Sequence, residues 1–277
     1  MPARMPDKDV PVSVHQCGME EIWAELRTSE GQTAPFAIVL SLGSPADADL
    51  PEASLLCPEE TSRHRRIREP VSSWAYLCSH IALRLLAGRA LRRSPAALEF
   101  LSPGAPNVAP RLRGQAQTGL QVSLSHSGGW AAIGLRQGGP IGIDVEQVSR
   151  EIDALAVADH FLTPNELNEL RALPGHAQGP SALRSWCAKE AVLKAAGTGL
   201  STDPRTVPVH WSGHAGTSAL DGVGYELALI GERSAGKATG AIAGKAPVGQ
   251  IIEAHSSFNE LLSLFRESQP WWETPVD

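Results

Sequence analysis

Glu190 and Lys194 stand four residues apart in a run of strong helix formers, Trp186 to Ala196, that stops at Gly197 and Gly199. At about 3.6 residues per turn, Leu183, Trp186, Glu190 and Leu193 share one arc, with Lys189 and Lys194 at its edges. Ala188, Ala191, Val192 and Ala195 fill the other side, so the helix is apolar nearly all round and is expected to be buried. A buried carboxylate or ammonium is costly unless it is paired or holds a metal, so both residues need partners. The same spacing also suits an ordinary Glu–Lys pair on a solvated face, against which the missing polar face argues. The chain has 24 basic residues but only five lysines, and two of those lie in this helix.

A second group follows strand rather than helix period. In Ile141-Gly142-Ile143-Asp144-Val145-Glu146, alternation puts Gly142, Asp144 and Glu146 on one face and the three apolar residues on the other. Two adjacent carboxylates repel unless a cation lies between them, and all-oxygen ligation suits Mg²⁺. The alternative is a strand end emerging into water. Upstream, Val122-Ser123-Leu124-Ser125-His126-Ser127 alternates in the same way and runs into Gly128-Gly129. His126 and its serines therefore sit where a backbone can closely approach a ligand.

The remaining elements must position these groups. A short helix is expected over Met19 to Arg27, a buried strand over Phe36 to Leu40, and a loop over Ser44 to Glu52. A charged segment from Pro58 carries Arg63, His64, Arg65, Arg66 and Arg68, facing either a phosphate or solvent. Ser72 or Ser73 is expected to cap a helix running to about Arg93, with Trp74, Leu77, Cys78, Ile81 and Leu85 as its core stripe. A loop over 101–119 carries Arg111 and Arg113. Strands over 130–135 and 141–146 flank a turn at Gly138-Gly139-Pro140. Ile152 to Leu162 reads as a helical stripe, Thr163 to Glu166 as a capping box, and 174–181 as a loop. Strands over 206–211, 224–230, 238–243 and 248–254 read as a second sheet, and Ser256 to Glu267 as a terminal amphipathic helix. Two halves result, 1–138 and 139–277, with the junction at the turn around Gly138 to Pro140.

The 277 residues carry a formal net charge of −6 with a pI near 5.9, which argues against non-specific nucleic-acid binding while leaving room for one basic cleft. Four cysteines lie far apart without a CxxC pair, as expected of free thiols in a reducing compartment. Met1 to Val12 lacks the apolar core of a signal peptide, and no run reaches the roughly 18 apolar residues of a membrane helix. A cytoplasmic protein that binds neither nucleic acid nor membrane is expected.

Ser-Leu-Ser-His-Ser (123–127), Ile-Gly-Ile-Asp-Val-Glu (141–146) and Trp186 to Leu200 resemble, in order and spacing, the three signatures of 4′-phosphopantetheinyl transferases of the large single-chain type that activates surfactin synthetase-like carrier proteins. Leu56 to Glu60 with the arginines after it, and His160 to Thr163 with Glu166, extend the likeness over roughly 55–210. The resemblance implies an α/β (α+β), pseudo-twofold fold of two subdomains, each a small, mainly antiparallel sheet packed with helices, with the active site between the halves. It implies a monomer that binds coenzyme A and Mg²⁺ and modifies a serine of acyl, peptidyl or aryl carrier proteins of fatty acid, polyketide or nonribosomal peptide synthases, as in secondary metabolite biosynthesis. Carried over residue by residue, Asp144, Glu146 and Glu190 would hold Mg²⁺, and Glu190 would also serve as base. Lys194, His126 and Ser125 would contact phosphates, with Arg63 at the nucleotide end. Two family features are missing. The long helix opens with Ser72-Ser73-Trp74-Ala75 instead of arginines, and Val108-Ala109-Pro110 replaces a Gly-Lys-Pro turn. Arg111 and Arg113 are the expected substitutes for gripping the 3′-phosphate, with Arg65 and Arg66 as further options. The alternative reading is a family-derived regulatory module that binds metal and phosphate but has lost efficient transfer.

Overall fold

Strand alternation decides how the chain is layered. The computed structural model describes residues 12–28, 34–44, 50–101, 110–148, 155–231 and 234–268. Its first half runs β1 (Ser13–Cys17), α1 (Met19–Thr28), β2 (Phe36–Ser41), α2 (Pro58–His64), α3 (Pro70–Leu91), β3 (Phe100–Leu101), β4 (Arg111–Leu112), α4 (Gln115–Thr118), β5 (Leu120–Ser127) and β6 (Trp130–Gln137). It continues with β7 (Ile141–Gln147), α5 (Pro164–Ala172), α6 (Gly175–Ala196), β8 (Val209–Ser212), β9 (Ala215–Leu220), β10 (Val223–Ile230), β11 (Ala238–Lys245), β12 (Gln250–Ser257) and α7 (Phe258–Glu267). The readings at 1–11, 45–49, 102–109 and 149–154 fall outside the described residues, and with them the N-terminal segment, Val108, Ala109 and Ile152.

Two five-stranded sheets form, ordered β1-β12-β2-β6-β5 and β7-β11-β10-β9-β8. Ala37 and Val39 of β2, Ala132 of β6, Ile141, Ile143 and Val145 of β7 and Ile242 of β11 make a core between them. Residues of opposite parity in β2, Ile38 and Leu40, face α1, α3 and α7 in an outer core. Cys187, Ala188, Ala191 and Val192 of α6 cover the far side of the second sheet, against Leu227, Ala241 and Ala243. The layers are thus helices, sheet, sheet, helix. The 22-residue helices α3 and α6 occupy corresponding outer positions, which is the expected pseudo-twofold relation.

Five local expectations are corrected. The helical stripe read from Ile152 to Leu162 is, in its described part, a turn at 155–157 and one 3-10 turn at Ala158–His160, and the loop read over 101–119 contains β4 and α4. The strand anticipated over 248–254 as part of the second sheet is β12, which lies in the first sheet, parallel to both β1 and β2. Apolar alternation is local and does not specify which sheet a strand joins. The first sheet is therefore mixed, and only the second is antiparallel throughout. Helix α3 is capped by Glu69, whose carboxylate accepts from the amides of Val71 and Ser72, and not by Ser72 or Ser73. Helix α6 starts at Gly175, inside the segment read as a loop over 174–181, and contains Pro180. Gly175, Gly179 and Pro180 disfavour helix locally, but Ala182 and Leu183 bury against Leu170 and Phe161, and that packing carries the helix through. The Thr163 capping box forms as expected: Thr163 Oγ1 accepts from Glu166 N at 3.2 Å, and Glu166 Oε2 accepts from Thr163 N at 2.8 Å.

Candidate active site

Gly142 sets the site. Helix α6 crosses β7 so closely that a Cβ on residue 142 would lie 1.9 Å from Ala191 O and 2.5 Å from Ala195 N, so only glycine fits. This approach brings Asp144 and Glu146, on the same face of β7, beneath Glu190 and Lys194 of α6. On the other flank lies β5, where Ser123 Oγ accepts from Ile143 N at 3.0 Å and fixes the two strands edge to edge. Ser125 Oγ then donates to Asp144 Oδ1 at 2.7 Å and Ser127 Oγ to Glu146 Oε2 at 2.5 Å. Arg63, Ser125, His126, Asp144, Glu146, Glu190 and Lys194 line a single cavity of about 310 Å³.

Glu190 and Lys194 do not form the surface pair that their spacing permits. Lys194 Nζ donates to Asp144 Oδ1 at 2.7 Å and to Ile143 O at 3.1 Å, while Glu190 Oε1 is buried without a hydrogen-bond partner. Burial pushes the Glu190 carboxyl up to about 7; Asp144 and Glu146 push the same way against the opposing pull of Lys194. Glu146 is likewise raised, first by burial and then by Asp144. His126 is pushed down to about 4 by burial and by the positive charges of His80, Lys194 and Arg63. It is a neutral imidazole at pH 7, able to donate one N–H to an anion.

A divalent cation fits the donor set but does not find a finished cage. Among the described residues no three His, Cys, Asp or Glu side chains are grouped as a ready metal site. The Asp144–Glu146–Glu190 triad expected from the sequence is brought to one cavity, but Lys194 and Ser125 occupy Asp144 Oδ1 and Ser127 holds Glu146 Oε2. Asp144 Oδ2 and Glu190 Oε1 remain as buried oxygens without partners, which a hard oxygen-seeking ion such as Mg²⁺ would satisfy. Three carboxylates raised or buried together also call for positive charge.

Arg111 and Arg113, the expected grips for the 3′-phosphate, are not brought to this cavity. The Arg113 guanidinium pairs with Glu99 at 2.6 Å on the surface, because the short β3–β4 hairpin sets the two side by side. Arg111 lies instead beside Gly197, where a Cβ would come within 2.7 Å of Nη2, next to the carbonyl end of α6.

Other residues at the site were not singled out for these roles. Ser127 is the third member of a serine series at 123, 125 and 127, a period-two signal readable in the sequence. Trp186 lines the cavity one turn before Glu190 and packs edge-on against Phe161, with ring centroids 5.2 Å apart. Lys189, beside Glu190 in sequence, points away from the cavity lining. It is fully buried and tied to Glu166 at 2.9 Å and to the carbonyls of Val207 and Pro204, so it joins α6 to α5 and to the loop before β8.

A family profile described as the 4′-phosphopantetheinyl transferase superfamily matches residues 140–230, which include β7 and α6. Among curated proteins, a putative 4′-phosphopantetheinyl transferase of Synechocystis is 33% identical over 148 residues, covering 53% of this chain and 59% of the relative. The 4′-phosphopantetheinyl transferase HetI of Nostoc is 32% identical over 151 residues, covering 54% of this chain and 62% of the relative. A 4′-phosphopantetheinyl transferase of Bacillus subtilis is 27% identical over 168 residues, with 59% and 71% covered. The chain spans about three fifths of the length of the first two. The chain is thus similar to the 4′-phosphopantetheinyl transferase superfamily over the stretch from β7 to β10, within a layered α/β architecture.

Proposed function

We propose that the protein transfers the 4′-phosphopantetheine arm of coenzyme A to a serine of an acyl or peptidyl carrier protein, with Mg²⁺ required and 3′,5′-ADP released. The observation that carries this reading is the single cavity in which three carboxylates face a lysine, a histidine and an arginine. Its two charge signs suit a pyrophosphate with its counter-ion on one side and a nucleophile to be deprotonated on the other. When bound to Asp144 and Glu190 through their free oxygens, Mg²⁺ would neutralise pyrophosphate charge.

The chain's own residues do the rest. Phosphoryl transfer depends mostly on positioning and on offsetting charge. Glu190, which lines the cavity one helical turn from Lys194, accepts the carrier serine proton as the serine oxygen bonds to the β-phosphorus and the bond to the 3′,5′-ADP oxygen breaks. Lys194 lines the cavity beside Asp144 and meets the phosphate oxygens, while neutral His126 and Arg63 donate to the anionic leaving group. Ser125 and Ser127 hold Asp144 and Glu146 in place. Carrier proteins of fatty acid, polyketide or nonribosomal peptide synthases are the proposed partners, met by the protein as a cytoplasmic monomer. No helix among the described residues is long and apolar enough to cross a membrane.

Incubation with Mg²⁺, a fluorescent coenzyme A and an apo carrier protein tests the proposal. Label on the carrier serine, absent without Mg²⁺ and absent with Glu190→Gln, is expected. Coenzyme A binding with no label transferred to any class of carrier would replace the transferase reading with that of a binding module.

A further inference from the structure

Away from the carboxylates, Tyr76 in the first turns of α3 presents a face to Arg63, the only arginine among the described residues that line the cavity. The Arg63 Cζ lies 5.8 Å from the Tyr76 ring centroid, within the range of a cation–π contact. The other supports of the ring are fixed. His80 stacks on Tyr76 with centroids 4.0 Å apart, and His64 lies nearly parallel to it at 6.2 Å. His80 Nδ1 bonds Glu60 Oε1 at 3.1 Å, Arg84 Nε donates to Glu60 Oε2 at 2.7 Å, and Ser73 Oγ bonds His64 Nε2 at 2.9 Å. Both histidines are thereby anchored to α2 and α3. The Tyr76 hydroxyl itself is buried and without a hydrogen-bond partner, so the residue serves this arrangement through its ring.

We infer that Tyr76 is a positioning residue that holds the Arg63 guanidinium toward the cavity for a phosphate of the bound coenzyme A. The inference rests on the proposed function for the identity of the anion. Physically, Arg63 is an exposed side chain at the end of α2, and fixing a free arginine on a ligand costs rotamer entropy. A ring face that already restrains the guanidinium removes part of that cost before the ligand arrives. This chain lacks arginines at the opening of α3, where Ser72, Ser73 and Trp74 stand, so Arg63, the one arginine among the described residues lining the cavity, has to be well placed.

Calorimetric titration of the full chain with coenzyme A and Mg²⁺ tests this. Tyr76→Leu is expected to raise Kd by about 3- to 10-fold, the range of a partly exposed cation–π contact. Tyr76→Phe keeps the ring and should restore the wild-type Kd. In an Arg63→Ala background Tyr76→Leu should add nothing, because its effect runs through Arg63. A loss in Tyr76→Phe equal to that in Tyr76→Leu, or the same added loss in the Arg63→Ala background, overturns the inference. Should Tyr76→Leu fail to fold, the Arg63 Nε–Hε resonance of the wild type, assigned by its disappearance in Arg63→Lys, still decides. An upfield ring-current displacement is expected, and its absence removes the proposed contact. Wild-type protein that takes up no coenzyme A takes down the proposed function together with this inference, whereas wild-type uptake with an unaltered Tyr76→Leu variant removes the inference alone.

Discussion

Adding one methyl group at Gly142 should disable the site without touching any of its reactive atoms. In Gly142→Ala the new Cβ would begin 1.9 Å from Ala191 O, about 1.5 Å short of the 3.4 Å at which contact becomes ordinary. The obstacle is helix backbone, which cannot rotate aside as a side chain would. Helix α6 must therefore lift from β7 by about 1 Å or more, or β7 must bend against the ladder that pairs Asp144 with Ala241. Overpacking of this kind costs about 1–3 kcal/mol and more where only backbone can move. The 2.7 Å contact between Lys194 and Asp144 bridges the same gap and would open, leaving a buried ammonium poorly paired. A misplacement of about 1 Å between catalytic groups lowers rate by about 10²-fold. Denaturant melts and the carrier-labelling assay on the same preparation check both effects, with Ile143→Val as a control for mild core change in the same strand. A Gly142→Ala protein that melts and labels like the wild type would refute the claim that this glycine sets the distance between the carboxylates of β7 and the helix.

Replacement of Asp144 has two separable consequences. Asp144→Ala and Glu190→Ala should each reduce label transfer by about 10³-fold or more, and Mn²⁺ titration followed by electron paramagnetic resonance should show weakened uptake in both. Asp144→Ala should also lose stability by about 3 kcal/mol in denaturant melts, because it strands Lys194, whereas Asp144→Asn should lose less. Transfer near the wild-type rate in Glu190→Ala would remove the proposed base; Glu146→Ala is expected to be the mildest of the three. Lys189→Ala should lower the melting midpoint sharply while Lys189→Met is milder, since the first leaves both a cavity and the carbonyls of Val207 and Pro204 without their donor. Stability should also fall in acid through Glu60. Burial opposes ionisation there, but the His80 hydrogen bond and the Arg84 charge outweigh it and hold the carboxyl near 2 against an ordinary 4.5. A depressed carboxyl stabilises the fold above its unfolded value and loses that contribution as pH drops through the folded one. About 3 kcal/mol should therefore disappear between pH 4.5 and 2. Melts across that window in wild type and Glu60→Gln check this, and an equal slope in the two proteins would contradict it.

The sequence alone settled the features governed by short-range periodicity and by chemistry that cannot stand unpartnered. Glu190 and Lys194 on an all-round apolar helix had to find partners, and Gly142, Asp144 and Glu146 had to share a face, because period and burial follow from neighbouring residues. The Thr163 capping box and the two-sided strand over Phe36 to Leu40 were readable for the same reason. Partners distant in sequence were not. That Lys194 meets Asp144, fifty residues away, follows from the close crossing that Gly142 allows, and spacing along a helix offers Glu190 equally well. Which sheet would receive β12 was decided by free edges on β1 and β2 that exist only after folding. Helix α6 reaches back through Pro180 because burial of Leu183 outweighs local propensity, a balance that no window of sequence contains. The separation of the arginines is of the same kind. Arg63, Arg111 and Arg113 are equivalent cations in the sequence, and only tertiary placement sets one against Tyr76 at the cavity, one beside the end of α6 and one against Glu99 at the surface.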